Sequence, residues 1–407
     1  MKIGTISSKP DVTERVITSL SWLSLACFVT VDLIWLPASP LTVAVSNLWA
    51  IARSALLIVF ALSIRPLISR RLEGDQSSIA SAIRTAADGV DLLARAATFT
   101  IASGIAGGTY MYLATTAALP LQDARLAALD QALGFDLLQF LSITNSSPAI
   151  SWVLVAAYHS AFPQVLVLYL LLSFSRHERR LAEFLTLLSV TSVVTGALTL
   201  FAPAAGAYAY FAPARELFDG FSSNAGMWHY ETLTTLRTQA PSLDFTKIEG
   251  LVTFPSYHTV LAIIMAYAFR GFRFIALPAL ILNSIMIVST LPEGGHYLVD
   301  IIAGAIVALA GIGVVRWEQR GSIWAAPAEA THGVVEPGAS SNYERLSDRY
   351  DAHDSMRAMA IMRHFRIGQR SLRMVRMVKR LGRRTAPAGP AGPPGASPEA
   401  AGARPGR

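Results

Sequence analysis

The sequence predicts an all-α protein, a polytopic bundle of about eight transmembrane helices. Three observations indicate this class. Of the 407 residues, 53% are hydrophobic and only 15% are charged. The mean hydropathy is positive. Apolar windows of about 20 residues, the length of helix that crosses about 30 Å of hydrocarbon, recur along the chain. They lie at 17–37, 42–64, 93–118, 150–174, 181–203, 254–270, 272–291 and 297–315.

Lys and Arg residues are concentrated in alternate connections, and this pattern predicts the topology. The net charge of +7 lies in short connections and in the tail rather than over a soluble domain, so we expect no nucleic-acid partner. By the positive-inside rule, the basic connections face the cytoplasm. We therefore expect both termini in the cytoplasm of a plasma or inner membrane, and the loop 204–253 outside. The basic residues concerned are Lys2, Lys9, Arg15, Arg65, Arg70, Arg71, Arg84, Arg176, Arg179, Arg180, Arg270 and Arg273.

The chain divides into five segments by composition. We predict an N-terminal two-helix hairpin, a polar cytoplasmic connection, a second helical unit, a cytoplasmic tail and a disordered Pro, Gly and Ala tail. The first span is too long for a cleaved signal, so we expect it to be retained. The lone Cys27 excludes an intramolecular disulfide. The five segments are 1–64, 65–91, 92–316, 317–385 and 386–407.

Three further stretches have a predicted arrangement. Residues 119–141 have helical periodicity, with Leu126, Leu129 and Leu133 on one side and Asp123 and Asp130 elsewhere, so we expect a helix that lies along the membrane interface. The loop 204–253 is too long for a simple connector and is expected to cover a site. Residues 355–384 carry ten Lys or Arg and no acid. They predict a basic helix held by anionic lipid, or a helix that binds nothing specific.

Ionisable residues gather at the outer ends of the last three spans, where their burial near lipid calls for a functional hypothesis. His258 follows Pro255 and Ser256 in "FPSYHTV", and His296 and Asp300 lie in "GGHYLVD". The i, i+4 spacing lets the carboxylate fix the imidazole tautomer. Two helix N-termini at the same membrane side would also favour a phosphate group.

Each of these residues could instead have a purely structural role. A His-x-x-x-Asp pair is often structural, and Ser256 could serve only as a helix N-cap. A metal site of His258, His296 and Asp300 is conceivable, but it is the disfavoured use of three such residues in a lipid-facing protein. His159, inside the fourth span, is expected to be a hydrogen-bonded structural residue.

These residues resemble a known family. "PSYH" followed by "STLPEGGHYLVD" resembles the second and third signatures of the phosphatidic-acid-phosphatase type 2 superfamily, Pro-Ser-Gly-His and Ser-Arg-x5-His-x3-Asp. The resemblance covers about 92–316 and implies a six-helix catalytic core there. It implies that His296 forms a phosphohistidine, Asp300 orients it, His258 is the general acid, and Ser256 binds phosphoryl oxygens. It implies no metal and no cofactor.

The family's phosphate-binding cations are replaced in this sequence. Its first signature, Lys-x6-Arg-Pro, has no counterpart after the fifth span, and Thr290 and Tyr257 stand where the family has Arg and Gly. Arg237 and Lys247, with Arg215 behind them, are the candidates to neutralise a phosphate. Alternatively, they are ordinary charged residues of a solvent-exposed loop.

This pattern is similar to the inositol phosphorylceramide synthase branch, which implies transfer of a phosphoryl headgroup between membrane lipids at the outer face. Hydrolysis of lipid phosphates by the same site is the first alternative. A non-catalytic lipid-binding scaffold is the second. A transporter is disfavoured, because the ionisable residues lie at one face instead of lining a path.

Overall fold

A computed structural model describes residues 12–239, 242–251 and 253–324 of the chain. This part is predominantly helical and has almost no strand, which confirms the predicted all-α class. The basic stretch 355–384 and the Pro, Gly and Ala tail lie outside the described residues. The α-helices are α1 (Val12–Trp35), α2 (Ser46–Arg71), α3 (Ser78–Thr116), α4 (Asp123–Ala132), α5 (Leu137–Asn145), α6 (Pro148–His159), α7 (Ala161–Phe174), α8 (Glu178–Phe201), α9 (Ala207–Phe211), α10 (Tyr230–Thr238), α11 (Tyr257–Phe269), α12 (Ala276–Ser289) and α13 (Leu298–Trp324).

Each predicted span coincides with a helix or with a bent helix pair. In the described part, five helices (α1, α2, α3, α8 and α13) are long and apolar enough to cross a membrane. The number rises to seven if the pairs α4–α5, bent by 76°, and α6–α7, bent by 49°, each form one span. Helices α11 and α12 are apolar but shorter. The chain therefore has the helices of an integral membrane protein, and the total of eight spans stays a prediction.

Helix α3 is longer than its predicted span. Its 39 residues correspond to about 58 Å, roughly twice the thickness of the hydrocarbon core. The additional turns occupy much of the segment predicted as a polar connection. They carry Asp88, which forms ion pairs with Arg65 of α2 and with Arg176 between α7 and α8. The α2–α3 and α7–α8 turns therefore lie at the same end of the bundle, as the charge pattern predicts.

The N-terminal hairpin is joined to the long loop at the opposite end. Strand β1 (Thr42–Val43) pairs in parallel with β2 (Ser242–Leu243). The buried Asn47 side chain donates to the Leu243 carbonyl and accepts from the Phe245 amide, both at 2.8 Å. The α1–α2 connection and the loop 204–253 thus share one end of the bundle, again as predicted.

The helical core packs α11 and α13 closely together. Buried side chains from α7, α8, α11, α12 and α13 form one cluster that includes Leu172, Phe184, Ile264, Met286 and Ala308. Gly304 permits the approach, because a Cβ atom there would lie 2.4 Å from the Ser256 carbonyl oxygen. This contact fixes the start of α11 against the first turns of α13.

Helix α4 turns its acidic residues inward. Asp123 and Asp130 are buried, whereas Leu129 and Leu133 are exposed. The predicted leucine side is therefore divided, because Leu126 is buried with the acids. The inward carboxylates each bind backbone amides of neighbouring segments, and this satisfies charges that would be costly if unpaired.

Candidate active site

His296 and Asp300 form the pair that their spacing predicts. Asp300 Oδ2 lies 3.2 Å from Nδ1 of His296 and also accepts the Tyr297 amide at 2.9 Å. His296 precedes the first turn of α13, and Asp300 lies within that turn. Asp300 is completely buried and His296 is 3% exposed. The carboxylate therefore holds the Nδ1 side of the ring in a site shielded from water.

Burial determines the protonation state of His296. It lowers the pKa of His296 from 6.5 to about 4, and a hydrogen bond with the Thr253 backbone opposes part of this shift. The imidazole is therefore neutral near pH 7. A neutral imidazole is the form that can act as a nucleophile.

Ser256 and His258 begin helix α11 beside this pair. The fully buried Ser256 is the N-cap: its Oγ accepts from the Thr259 amide at 3.4 Å. Its own amide donates to the Asp300 carbonyl at 3.0 Å. His258 stacks on Tyr158, with ring centroids 4.4 Å apart. Gly294 lies against both the Tyr158 ring and the His296 ring, since a Cβ atom there would be 3.1 and 3.0 Å from them. The structure thus brings together Ser256, His258, His296 and Asp300.

The two helix starts differ in what they offer an anion. Sequence reasoning predicted outward amides at both, but the amides of α13 are already bound. Asp130 of α4 accepts from Leu298 at 2.8 Å and from Val299 at 2.9 Å, and its carboxylate therefore fills the place expected for a phosphate. At α11, no hydrogen bond among the described residues uses the amides of Tyr257 and His258. Only the α11 start keeps the predicted capacity for anion binding.

The predicted cationic residues have other contacts. Arg237 donates to the Ala118 and Leu119 carbonyls at the end of α3, at 3.4 and 2.9 Å. Lys247 is exposed in a short 3₁₀ turn. Arg215 donates to carbonyls within its own loop, including that of Ser222. Phosphate binding by Arg237 and Lys247 stays a prediction.

The long loop covers the segment that carries His296. The Gly226 amide donates to the Glu293 carbonyl at 2.8 Å, and the Ala207 amide donates to the Gly295 carbonyl at 2.9 Å. Gly295 has a φ of +68°, and a Cβ atom there would lie 2.5 Å from the Gly226 Cα atom. The loop also contributes the buried His229, whose pKa is lowered by burial.

Sequence reasoning missed Glu293 and Tyr158 at this site and placed His159 outside it. Glu293 is fully buried, and its Oε1 lies 3.0 Å from Nε2 of His159. Two signals were available: an acid in the short apolar connection before His296, and Pro163 four positions after His159. Among the described residues, no group of three or more His, Cys, Asp or Glu could hold a metal ion.

The segment that contains this site matches a known protein family. Residues 124–314 match the model of the PAP2 superfamily. PAP2 abbreviates the phosphatidic-acid-phosphatase type 2 superfamily, so the match confirms the predicted resemblance at that level. It covers a little less than half of the chain and contains every residue of the site described above. The match does not distinguish the inositol phosphorylceramide synthase branch. Comparisons with curated proteins and with solved structures gave no match.

Proposed function

We propose that this protein is an integral-membrane lipid phosphotransferase that works through a phosphohistidine on His296. The observation that carries the proposal is the buried His296–Asp300 pair beside His258 and Ser256, all within the segment that matches the PAP2 superfamily. The substrates would be membrane lipids that carry a phosphate, and the site would face the outer side of the membrane. The two termini would then be cytoplasmic, with the basic tail on anionic lipid.

In the first step His296 attacks phosphorus. Asp300 accepts a hydrogen bond from Nδ1, which leaves Nε2 as the nucleophilic nitrogen. A bond from Nε2 to phosphorus forms, the bond from phosphorus to the leaving oxygen breaks, and His258 donates a proton to that oxygen. Ser256 and the free amides of α11 would bind the phosphoryl oxygens.

Positive charge is needed as the transition state forms. Arg237 and Lys247 remain the proposed sources. Arg237 would have to exchange its contacts with the α3 carbonyls for contacts with phosphate. No metal or cofactor is part of the proposed cycle.

In the second step a hydroxyl attacks phosphorus, the bond between phosphorus and His296 breaks, and the hydroxyl proton replaces the one that His258 gave to the leaving oxygen. An acceptor lipid or polyol gives transfer, whereas water gives hydrolysis. The covered site and the 3% exposure of His296 favour transfer, because both limit the approach of bulk water. Lipid phosphate phosphatase activity is the second candidate, since the PAP2 match supports either reaction of one phosphoenzyme.

A variant panel tests the proposal. Purified protein would be assayed with short-chain lipid phosphates and phosphodiesters, with products separated by mass spectrometry. We expect His296→Ala to abolish turnover, and Asp300→Asn and His258→Ala to lower it by roughly 10²- to 10⁴-fold. His177→Ala is the matched control, because His177 lies in the α7–α8 connection, where its ring contacts Phe272 and its Nδ1 bonds the Ser175 carbonyl, away from the proposed site.

The outcomes separate the candidate functions. Wild-type turnover by the His296→Ala variant would exclude the phosphohistidine mechanism. Inorganic phosphate as the sole product, even with acceptor lipids present, would favour the phosphatase. Absence of turnover by the wild-type protein with the whole lipid panel would favour the non-catalytic scaffold.

A further inference from the structure

A second histidine–carboxylate pair lies beside the first. Nε2 of His159 is 3.0 Å from Oε1 of Glu293, and Oε2 of Glu293 accepts the Ser222 amide at 3.2 Å. Glu293 is completely buried, whereas 48% of the His159 side chain is exposed. Glu293 belongs to the same connection as His296, so one short segment supplies a residue to each pair.

The break between α6 and α7 places His159 at this position. Pro163 lacks an amide hydrogen, and its ring excludes a continuous helix past the carbonyl of the residue four positions earlier, which is His159. The helix axis bends by 49° here. Ser160 stabilises the break, because its Oγ donates to the Ala157 carbonyl at 2.6 Å and accepts from the Gln164 amide group at 2.9 Å.

Aromatic contacts connect the second pair to the first. The Tyr158 ring stacks on His258 and meets His159 edge to face, with centroids 5.4 Å apart. Trp228, from the covering loop, also meets His159 edge to face, with ring centroids 5.7 Å apart. His159 is therefore at the accessible rim of the site that contains the proposed nucleophile.

The two ring nitrogens of His159 have different surroundings. Glu293 accepts at Nε2, which assigns the proton to that nitrogen. No hydrogen bond among the described residues engages Nδ1. This leaves a lone pair for a hydroxyl group, and the exposure of the side chain lets a second substrate reach it.

We propose that the His159–Glu293 pair is the acceptor site of the phosphotransferase, an inference that rests on the proposed function. Nδ1 of His159 accepts a hydrogen bond from the hydroxyl of an acceptor lipid or polyol. As the hydroxyl oxygen bonds to phosphorus and the phosphorus–nitrogen bond to His296 breaks, the hydroxyl proton passes to Nδ1. Glu293 balances the positive charge on the imidazolium, which then passes the proton through water to His258, so that His258 regains the proton it gave to the leaving oxygen.

This assignment divides the work between two pairs of different exposure. The buried His296–Asp300 pair forms and holds the phosphoenzyme. The second pair, in which His159 is half-exposed and Glu293 is buried, selects the hydroxyl that attacks it. His159 would be a catalytic residue for the second step alone, and Glu293 a positioning residue that acts through it. Water needs no such binding site, so hydrolysis depends less on His159 than transfer does.

The experiment measures the two half-reactions separately. Wild type and the variants His159→Ala, His159→Asn and Glu293→Gln would receive dioctanoyl phosphatidic acid labelled at phosphorus, with increasing glycerol as the acceptor probe. Quenched-flow gives the rate of phosphoenzyme formation, and product analysis gives the ratio of glycerol phosphate to inorganic phosphate. His177→Ala is the matched control, and thermal unfolding checks the fold of each variant.

We expect His159→Ala to form the phosphoenzyme within about twofold of the wild-type rate and to lower the transfer ratio at least tenfold. His159→Asn and Glu293→Gln should give intermediate ratios. Equal loss of both products, an unchanged ratio, or absence of transfer by the wild type would overturn the acceptor assignment. Absence of a wild-type phosphoenzyme would instead refute the proposed function itself.

Discussion

Asp130 and Leu298 are 168 positions apart in the chain, yet the Leu298 amide donates a 2.8 Å hydrogen bond to Oδ2 of Asp130. The other carboxylate oxygen accepts the Val299 amide. A buried acid on α4 thus caps α13 at the turn that holds Asp300. A negative charge is favourable at a helix N-terminus, and here the Asp130 carboxylate positions α13, the proposed catalytic helix.

Removal of this cap should destabilise the protein. Asp130→Ala leaves two partly buried amides without a partner, and each such group costs about 1–3 kcal/mol of unfolding free energy. Asp130→Asn keeps one acceptor oxygen and should lose less. Thermal unfolding in detergent measures the stability of the three proteins, which we expect to decrease from wild type to Asp130→Asn to Asp130→Ala. An Ala variant as stable as wild type would contradict the capping role.

A side chain at position 295 should disrupt the covered site. Gly295→Ala introduces a Cβ atom 2.5 Å from the Gly226 backbone at a φ of +68°, a conformation that costs an L-residue about 1–2 kcal/mol. We expect lower stability and at least a tenfold loss of turnover. Gly104→Ala in α3 is the control, because a Cβ atom there meets open space and alanine favours the helix. Equal behaviour of the two variants would be evidence against the close approach.

The hydrogen bonds from the Asn47 side chain should protect the start of the segment 242–251 from hydrogen exchange. Asn47→Ala removes the acceptor of the Phe245 amide and a donor to the Leu243 carbonyl. We expect faster hydrogen exchange at Phe245, because protection reports the free energy of local opening. Ser46→Ala, its exposed neighbour in α2, should leave this exchange rate unchanged. Unaltered exchange in the Asn47 variant would show that these hydrogen bonds are dispensable.

The lowered pKa of His296 predicts a pH dependence of stability. Its folded value is about 4, below the ordinary 6.5, so between these values the unfolded chain binds a proton that the folded chain does not. Stability should therefore fall as the pH decreases from about 6.5 to 4, by roughly 3 kcal/mol for this group. His296→Gln should lose less stability than wild type between pH 7 and pH 4, and His177→Gln should match wild type. Parallel curves for wild type and His296→Gln would refute the shift.

The sequence carried enough information to predict the helices and the core of the site. Apolar length located each span, and the spacing of His296 and Asp300 predicted a contact that depends only on local geometry. Ser256 and His258 followed from their place at a helix start. These predictions needed no knowledge of distant contacts.

The features that could not be predicted from the sequence depend on contacts between residues far apart in the chain. The inward turn of Asp123 and Asp130 depends on amides from 205–206 and 298–299, which helical periodicity alone cannot supply. His159 reaches Glu293 because Pro163 breaks the fourth predicted span, and a hydropathy window averages over such a break. The contacts of Arg237 with the α3 carbonyls likewise depend on how the loop folds back.

Direct trapping of the phosphoenzyme tests the central claim. The protein would be mixed with a phosphorus-labelled lipid phosphate, quenched within milliseconds in alkali, digested, and mapped by mass spectrometry. The account predicts an alkali-stable, acid-labile phosphoryl group on His296, absent from His296→Ala and formed more slowly by Asp300→Asn. A phosphoryl group on another residue, or turnover at the wild-type rate by His296→Ala, would contradict it.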